Sequence, residues 1–198
     1  MRLEAMFVPD AIIQQDQCWL LYLNRLGNSS WDSFWLYMTR METWIPAYVV
    51  LILLMYHLWG WKCATVTLVF ISLLILSADQ TTNLIKHTVK RYRPCWDPII
   101  ADQVRLAQGF CGGYYGFSSG HAANHFALAL FLGKILRPYA RYALFLLLLW
   151  AGMIAYSRVY LGVHYPLDIF SGALLGLGLG FAFNKLHIKF FFVFDIIL

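Results

Sequence analysis

Charge is what this chain has least of. Only 13% of its 198 residues are Asp, Glu, Lys or Arg, against roughly 25% in soluble domains, and those few punctuate long apolar runs. This composition argues against a water-soluble domain. Acids are scarcer than bases, 10 against 15, which leaves a net charge of +5. That excess does not mark a nucleic-acid partner, because such binders display their charge on a hydrated face. Cysteine is sparse too. Cys18, Cys63, Cys95 and Cys111 are too few and too scattered for a disulfide scaffold or a paired-cysteine metal site. Cys95 and Cys111 bracket one polar loop, and in an oxidising compartment they either pair or remain two thiols. The first dozen residues, MRLEAMFVPDAI, lack the apolar region of a cleavable export signal, so insertion is expected to rest on the chain's own spans. No internal repeat or low-complexity segment is visible.

What fills the chain is apolar: 61% hydrophobic and 18% aromatic residues. Five segments, at about 44–61, 64–85, 120–136, 142–161 and 167–186, are long and apolar enough to cross a bilayer. The stretch 11–26 mixes Gln14, Gln15, Asp16 and Arg25 with Ile12, Ile13, Leu20 and Leu23, the pattern of a helix lying at the membrane interface. The expected fold is therefore all-α: a polytopic membrane helix bundle of about five transmembrane helices plus an N-terminal interfacial helix. If that stretch also crosses, there are six spans. A single membrane-embedded domain over 1–198 is expected. Trp31, Trp35, Trp44, Trp59, Trp61 and Trp96 gather near the span ends, where amphipathic rings sit at headgroup level. Gly172, Gly176, Gly178 and Gly180 offer small surfaces for close helix packing inside the bundle. Nothing explains the apolar tail KFFFVFDIIL.

Five spans divide the loops between two sides. Lys62, Lys134, Arg137, Arg141, Lys185 and Lys189 fall on one, beside span ends, and are placed in the cytoplasm by the positive-inside rule. The other side holds Arg2, Arg25, Arg40, Lys90, Arg91 and Arg105, so the bias is slight. It also receives three polar clusters far apart in sequence. They are Lys86-x6-Arg93-Pro94, then Ser118-Ser119-Gly120-His121, then Ser157-Arg158-x5-His164-x3-Asp168.

Lys86, Arg93 and Arg158 suit an anion: the two arginines as bidentate forks, the lysine as a compact charge. Lys90, Arg91 and Arg105 read as snorkelling interface residues. Ser119 and Gly120 open the third span, where unpaired backbone N–H groups can face an anion; Ser119 serves as cap, as phosphate donor, or as both. His164 and Asp168, four apart, would share a helix face, either as a structural pair or as an imidazole held and activated by a carboxylate. His121 and His125 are four apart as well, but HAANH lacks the Glu after the first His that a zinc protease needs. No metal and no cofactor are expected. His125 reads as a satisfied bundle residue or a partner of the site, and Asp79, near Asn83 at a span end, as the partner of a nearby cation.

In these clusters the sequence resembles the type 2 phosphatidic acid phosphatase (PAP2) family, membrane lipid phosphatases that share a catalytic core with the vanadium haloperoxidases. The motifs K-x6-R-P, P-S-G-H and S-R-x5-H-x3-D match in order over 86–168, except that Ser118 stands where the family has proline. The resemblance implies metal-independent hydrolysis of a lipid phosphate or diphosphate. His164 would attack phosphorus to form a phosphohistidine, Asp168 would orient it, and His121 would protonate the leaving oxygen. Lys86, Arg93, Ser119, Gly120 and Arg158 would bind the phosphate. Undecaprenyl diphosphate is the first expected substrate, followed by lipid A phosphate, then phosphatidylglycerophosphate or phosphatidate. The expected location is a bacterial inner membrane, with the site on its periplasmic side. A non-enzymatic carrier of phosphorylated lipid would need the cations but not His164. A vanadium haloperoxidase is opposed by the five apolar spans.

Overall fold

The computed structural model describes residues 9–193; Arg2 and the last five residues of the tail lie outside them. Six α-helices follow in order: α1 (Asp10–Arg25), α2 (Ser29–Thr39), α3 (Ile45–Val89), α4 (Gly120–Leu136), α5 (Ala143–Tyr160) and α6 (Pro166–Val193). Among the described residues there is no β-strand, only an isolated antiparallel bridge between Tyr92 and Tyr115.

Helix α3 is two spans in one element. As a straight rod its 45 residues would reach roughly 67 Å, and Tyr48 would stand roughly 40 Å from Ile75. Both instead line one cavity, with Ile52 and Met55 from the first arm and Leu68 and Ile71 from the second. The chain reverses at Gly60, whose φ of 73° and ψ of 171° are open to glycine and costly for any other residue. The result is a helical hairpin. By length and composition three helices could cross a membrane: Met41–Val89, which contains this hairpin, Ala143–Tyr160 and Pro166–Val193. Helix α4 is apolar as well, with 17 residues. All five apolar segments of the sequence are thus helical, and leucines and phenylalanines such as Leu53, Leu73, Leu76, Phe145, Leu149 and Leu174 face outward. An outer surface this apolar belongs against lipid, and the protein is an integral membrane protein.

The middle of the bundle is a stripe of small residues. Gly172, Gly176 and Gly180 of α6 lie against the backbone carbonyls of Ser119, Ala123 and Ala127 in α4, so close that a Cβ on any of them would collide with that backbone. Gly178, between them, has open space around it. Only three of the four glycines anticipated for packing serve it. Gly176→Val should lower the melting temperature in detergent by about 5–10 °C, while Gly178→Val should leave it unchanged.

The N-terminal region departs from expectation. Helix α1 forms where the sequence suggests, with Gln14, Gln15 and Arg25 exposed and Leu20 buried, but part of its polar set turns inward. Asp16, Gln17 and Asn24 are buried, whereas Ile12, Trp19 and Tyr22 are exposed. The reason is satisfaction of hydrogen bonds. Asn24 Nδ2 donates to the carbonyls of Arg105 and Tyr160 at 3.0 and 2.8 Å, and its Oδ1 accepts from Arg105 N at 2.8 Å. Helix α2, capped by the Asn28 side chain, continues this layer and packs on α5 through Trp35, whose ring centroid lies 5.0 Å from that of Tyr156.

Candidate active site

The polar loop between α3 and α4 is where the first cluster acquires its geometry. Cys95 and Cys111 are joined by a disulfide, with their Cα atoms 6.0 Å apart. Arg93 N donates to Tyr114 O at 2.8 Å and Gly116 N to Arg91 O at 2.9 Å, so the chain after Arg91 lies antiparallel to the chain before Gly116. Residues 91 and 93, two apart on extended backbone, point to the same side. That side is the site. A Cβ on Gly116 would sit 2.9 Å from Asp168 Oδ2, 3.2 Å from Arg93 Cγ and 3.5 Å from His164 Nδ1. Glycine here is what lets the loop close over the histidine.

The second cluster opens α4. Ser119 Oγ accepts from Ala122 N at 3.4 Å, while Ser119 N donates to the Asp168 carbonyl at 2.9 Å. Ser119 is therefore a helix cap and a tie to α6. The backbone N–H groups of Gly120 and His121 stand at the first two helical positions, where no intrahelical acceptor exists. A Cβ on Gly120 would lie 3.5 Å from Lys86 Nζ, which brings the lysine of the first cluster beside the glycine of the second. Asp79 accepts from Asn124 Nδ2 at 2.7 Å and lies close enough to Lys86 to act on its charge, so its partners are an amide and that lysine. His125 Nδ1 donates to the His121 carbonyl at 2.7 Å.

The third cluster supplies the buried pair. His164, in the turn between α5 and α6, faces Asp168 of the first turn of α6, with Nδ1 3.3 Å from Oδ2. The carboxylate accepts from Tyr165 N at 3.0 Å and from Arg91 Nη1 at 3.1 Å. Burial pulls the His164 imidazole down to about 4, against the opposing hydrogen bond to Asp168 and helped by the charges of Arg93 and Arg158. The ring is neutral at pH 7, with a lone pair free on Nε2 when the proton sits on Nδ1. Arg158 Nη1 donates to Thr39 Oγ1 at 2.8 Å. The Nε atoms of both Arg93 and Arg158 are buried without a hydrogen-bond partner. Buried cationic donors left without an acceptor cost free energy that a multidentate oxyanion would recover. His121 is within electrostatic range of Arg158, His164 and Arg93.

All eight residues singled out in the sequence therefore belong to one region at one end of the bundle. Below them is an apolar cavity of about 300 Å³ between the α3 hairpin and α4, lined by Tyr48, Ile52, Met55 and Leu128 and reaching His121 and His125. Four residues escape the sequence reading. Arg91 is no snorkelling residue: it is 4% exposed and bridges Asp168 and Asp16. Arg105 is not one either, since its Nη2 pairs with the Asp32 carboxylate, 2.6 Å from Oδ1. Gly116 and Thr39 carry no local signal, because the site residues they meet are distant in sequence: Gly116 faces Arg93, His164 and Asp168, and Thr39 accepts from Arg158.

The sequence matches the PAP2 superfamily over residues 63–192. It is 38% identical over 159 residues to a lipid A 4'-phosphatase of Bacteroides thetaiotaomicron, covering 79% of this chain and 70% of that protein. To a lipid A 4'-phosphatase of Porphyromonas gingivalis it is 29% identical over 180 residues, 89% of this chain and 75% of the other. In fold it resembles the crystal structure of a transmembrane PAP2-type phosphatidylglycerolphosphate phosphatase from Bacillus subtilis. That match has a TM-score of 0.72 at 21% identity and covers 94% of this chain and 91% of that one.

Proposed function

The chain belongs to the PAP2 superfamily and is a membrane lipid phosphatase, and within that family we propose that it removes the 4'-phosphate of lipid A or of a close lipid phosphomonoester. The identity of 38% with a lipid A 4'-phosphatase across most of both chains carries this choice. Undecaprenyl diphosphate, first in the reading of the sequence, is named by none of the relatives above. The apolar cavity under His121 supports a lipid substrate, with an acyl chain beside the α3 hairpin while the phosphate meets Lys86, Arg93 and Arg158.

In this reading His164 Nε2 attacks phosphorus while Asp168 accepts the Nδ1 hydrogen bond. The bond from phosphorus to the ester oxygen breaks, and His121 gives that oxygen its proton. Water then attacks the phosphohistidine, His121 takes a proton from it, and the N–P bond breaks with its electron pair returning to His164. Lys86, Arg93, Arg158 and the N-terminus of α4, with Ser119 and Gly120, hold the equatorial oxygens as charge redistributes over them. No step calls on a metal or a cofactor. The site would face the periplasm of a bacterial inner membrane; the disulfide beside it suits an oxidising side, and Lys62, Arg137, Arg141, Lys185 and Lys189 are exposed on the connections and helix ends assigned to the cytoplasm.

A panel of purified lipids in detergent tests the substrate: lipid A carrying both phosphates, phosphatidylglycerophosphate, phosphatidate and undecaprenyl diphosphate, with product masses read directly. Loss of the 4'-phosphate should be fastest, and faster release from the diphosphate would reject the proposal. Binding without release from every lipid would favour a carrier.

The protonation state of His164 sets the acid limb of activity. Because kcat/KM reports the free enzyme's base and acid together, its profile should be bell-shaped: the acid limb falls as pH drops through about 4, where the ring gains the proton that blocks attack, and the alkaline limb follows loss of the proton that His121 donates. An acid limb near 6.5 would mean an imidazole in ordinary solvent. Stability follows the same sign: between 6.5 and 4 the unfolded chain binds a proton that folded His164 does not, so stability falls as pH is lowered.

A further inference from the structure

We infer that Asp16 of α1 and Arg91 of the polar loop are positioning residues that hold Asp168, and through it His164, as one buried chain of charges. The inference rests on the reading of His164 as nucleophile. Arg91 Nη2 donates to Asp16 Oδ2 at 2.7 Å and Nη1 to Asp168 Oδ1 at 3.1 Å. The three residues are 1%, 4% and 0% exposed. Asp16 Oδ1 also accepts from Leu167 N at 3.0 Å, so an acid from α1 caps the helix whose first turn carries Asp168. The Arg91 guanidinium lies 4.0 Å above the ring of Tyr165, the residue after His164. Tyr165 in turn donates to Asp97, which Gln17 of α1 also contacts at 3.1 Å.

The charge count explains why a second acid is present. Asp168 and Arg91 alone cancel, which would leave the positive imidazole formed during attack without a counter-charge in a buried site. With Asp16 the set carries one negative charge, available as His164 becomes cationic. A guanidinium can serve both acids because its two Nη groups diverge; an ammonium at the same place cannot reach both. Asp16 lies before residue 63, where the family-model match begins, so this support comes from a segment outside the three motifs.

A double-mutant cycle on the full chain in detergent tests this, with dioctanoyl phosphatidate as probe and released phosphate as readout. Asp16→Asn keeps shape and removes charge; kcat should fall about tenfold with KM and melting temperature unchanged, and Arg91→Lys should lower kcat by about thirtyfold. The double variant should match Arg91→Lys alone, because without the fork Asp16 has no route to Asp168. Wild-type kcat in Asp16→Asn, or losses that multiply in the double variant, would overturn the inference. So would a loss in Asp16→Asn that merely tracks the unfolded fraction, a measurement that does not need Arg91→Lys to fold. His164→Ala is run alongside. Activity surviving there rejects the nucleophile itself, whereas an inactive His164→Ala beside a normal Asp16→Asn rejects only the support proposed for it.

Discussion

His164→Ala is expected to lower phosphate release by about 10⁴-fold, equivalent to about 5 kcal/mol of transition-state stabilisation. His164 is 2% exposed and Asp168 is fully buried, so the pair is no surface ornament, and loss of the ring removes the imidazole that Asp168 orients. A structural role would show as loss of folded protein. A catalytic one shows in the intermediate. Wild-type protein quenched during turnover of labelled p-nitrophenyl phosphate should carry an acid-labile, alkali-stable phosphoryl group, and His164→Ala should carry none. His121→Ala separates the two halves of the reaction. With p-nitrophenol as leaving group the first step needs no acid, yet water still needs its base, so this variant should accumulate label. Label retained in His164→Ala would assign the nucleophile elsewhere.

How much of this was legible beforehand depends on whether a residue's signal is local. His164 and Asp168 are four apart, Ser119 to His121 are contiguous, and Lys86 and Arg93 bracket one short segment, so each cluster was visible locally, and the resemblance to the family's motifs singled them out together. The five apolar segments were visible for the same reason, and Gly60 falls within two residues of the break expected between the first two. Arg91 shows the opposite case. It sits beside Lys90 in a basic run and looks solvated, and only the folded chain brings it to acids 75 and 77 positions away. Asp16, following Gln14 and Gln15, reads as the wet face of an interfacial helix. In the structure Asp16, Gln17 and Asn24 turn inward because the polar loop, the end of α5 and the start of α6 carry groups that need partners, while Trp19 and Tyr22 turn outward. Gln14, Gln15 and Arg25 do stay exposed and Leu20 is buried; what hydropathy missed is that single polar residues of this helix are recruited inward by partners far away in sequence.

Arg158→Met should lower kcat/KM by about 10³-fold, and Arg158→Lys by about 10². Arg158 is 8% exposed and stands in the last turn of α5, with one Nη engaged by Thr39 and a buried Nε that has no acceptor. Lysine restores the charge but not the planar fork, so the interval between the two variants measures bidentate binding separately from charge. If the arginine served only to tie α2 to α5, removing its partner would do equal harm. Thr39→Val, which deletes that hydrogen bond at constant volume, is therefore expected to cost no more than about threefold. Equal losses in Thr39→Val and Arg158→Met would make Arg158 a structural strut. Inhibition by vanadate gives the same comparison without turnover, because vanadate adopts the five-coordinate geometry that the transferring phosphoryl group passes through. Its inhibition constant should rise steeply in Arg158→Met and hardly at all in Thr39→Val, since only the first removes a donor that the proposed mechanism assigns to the equatorial oxygens.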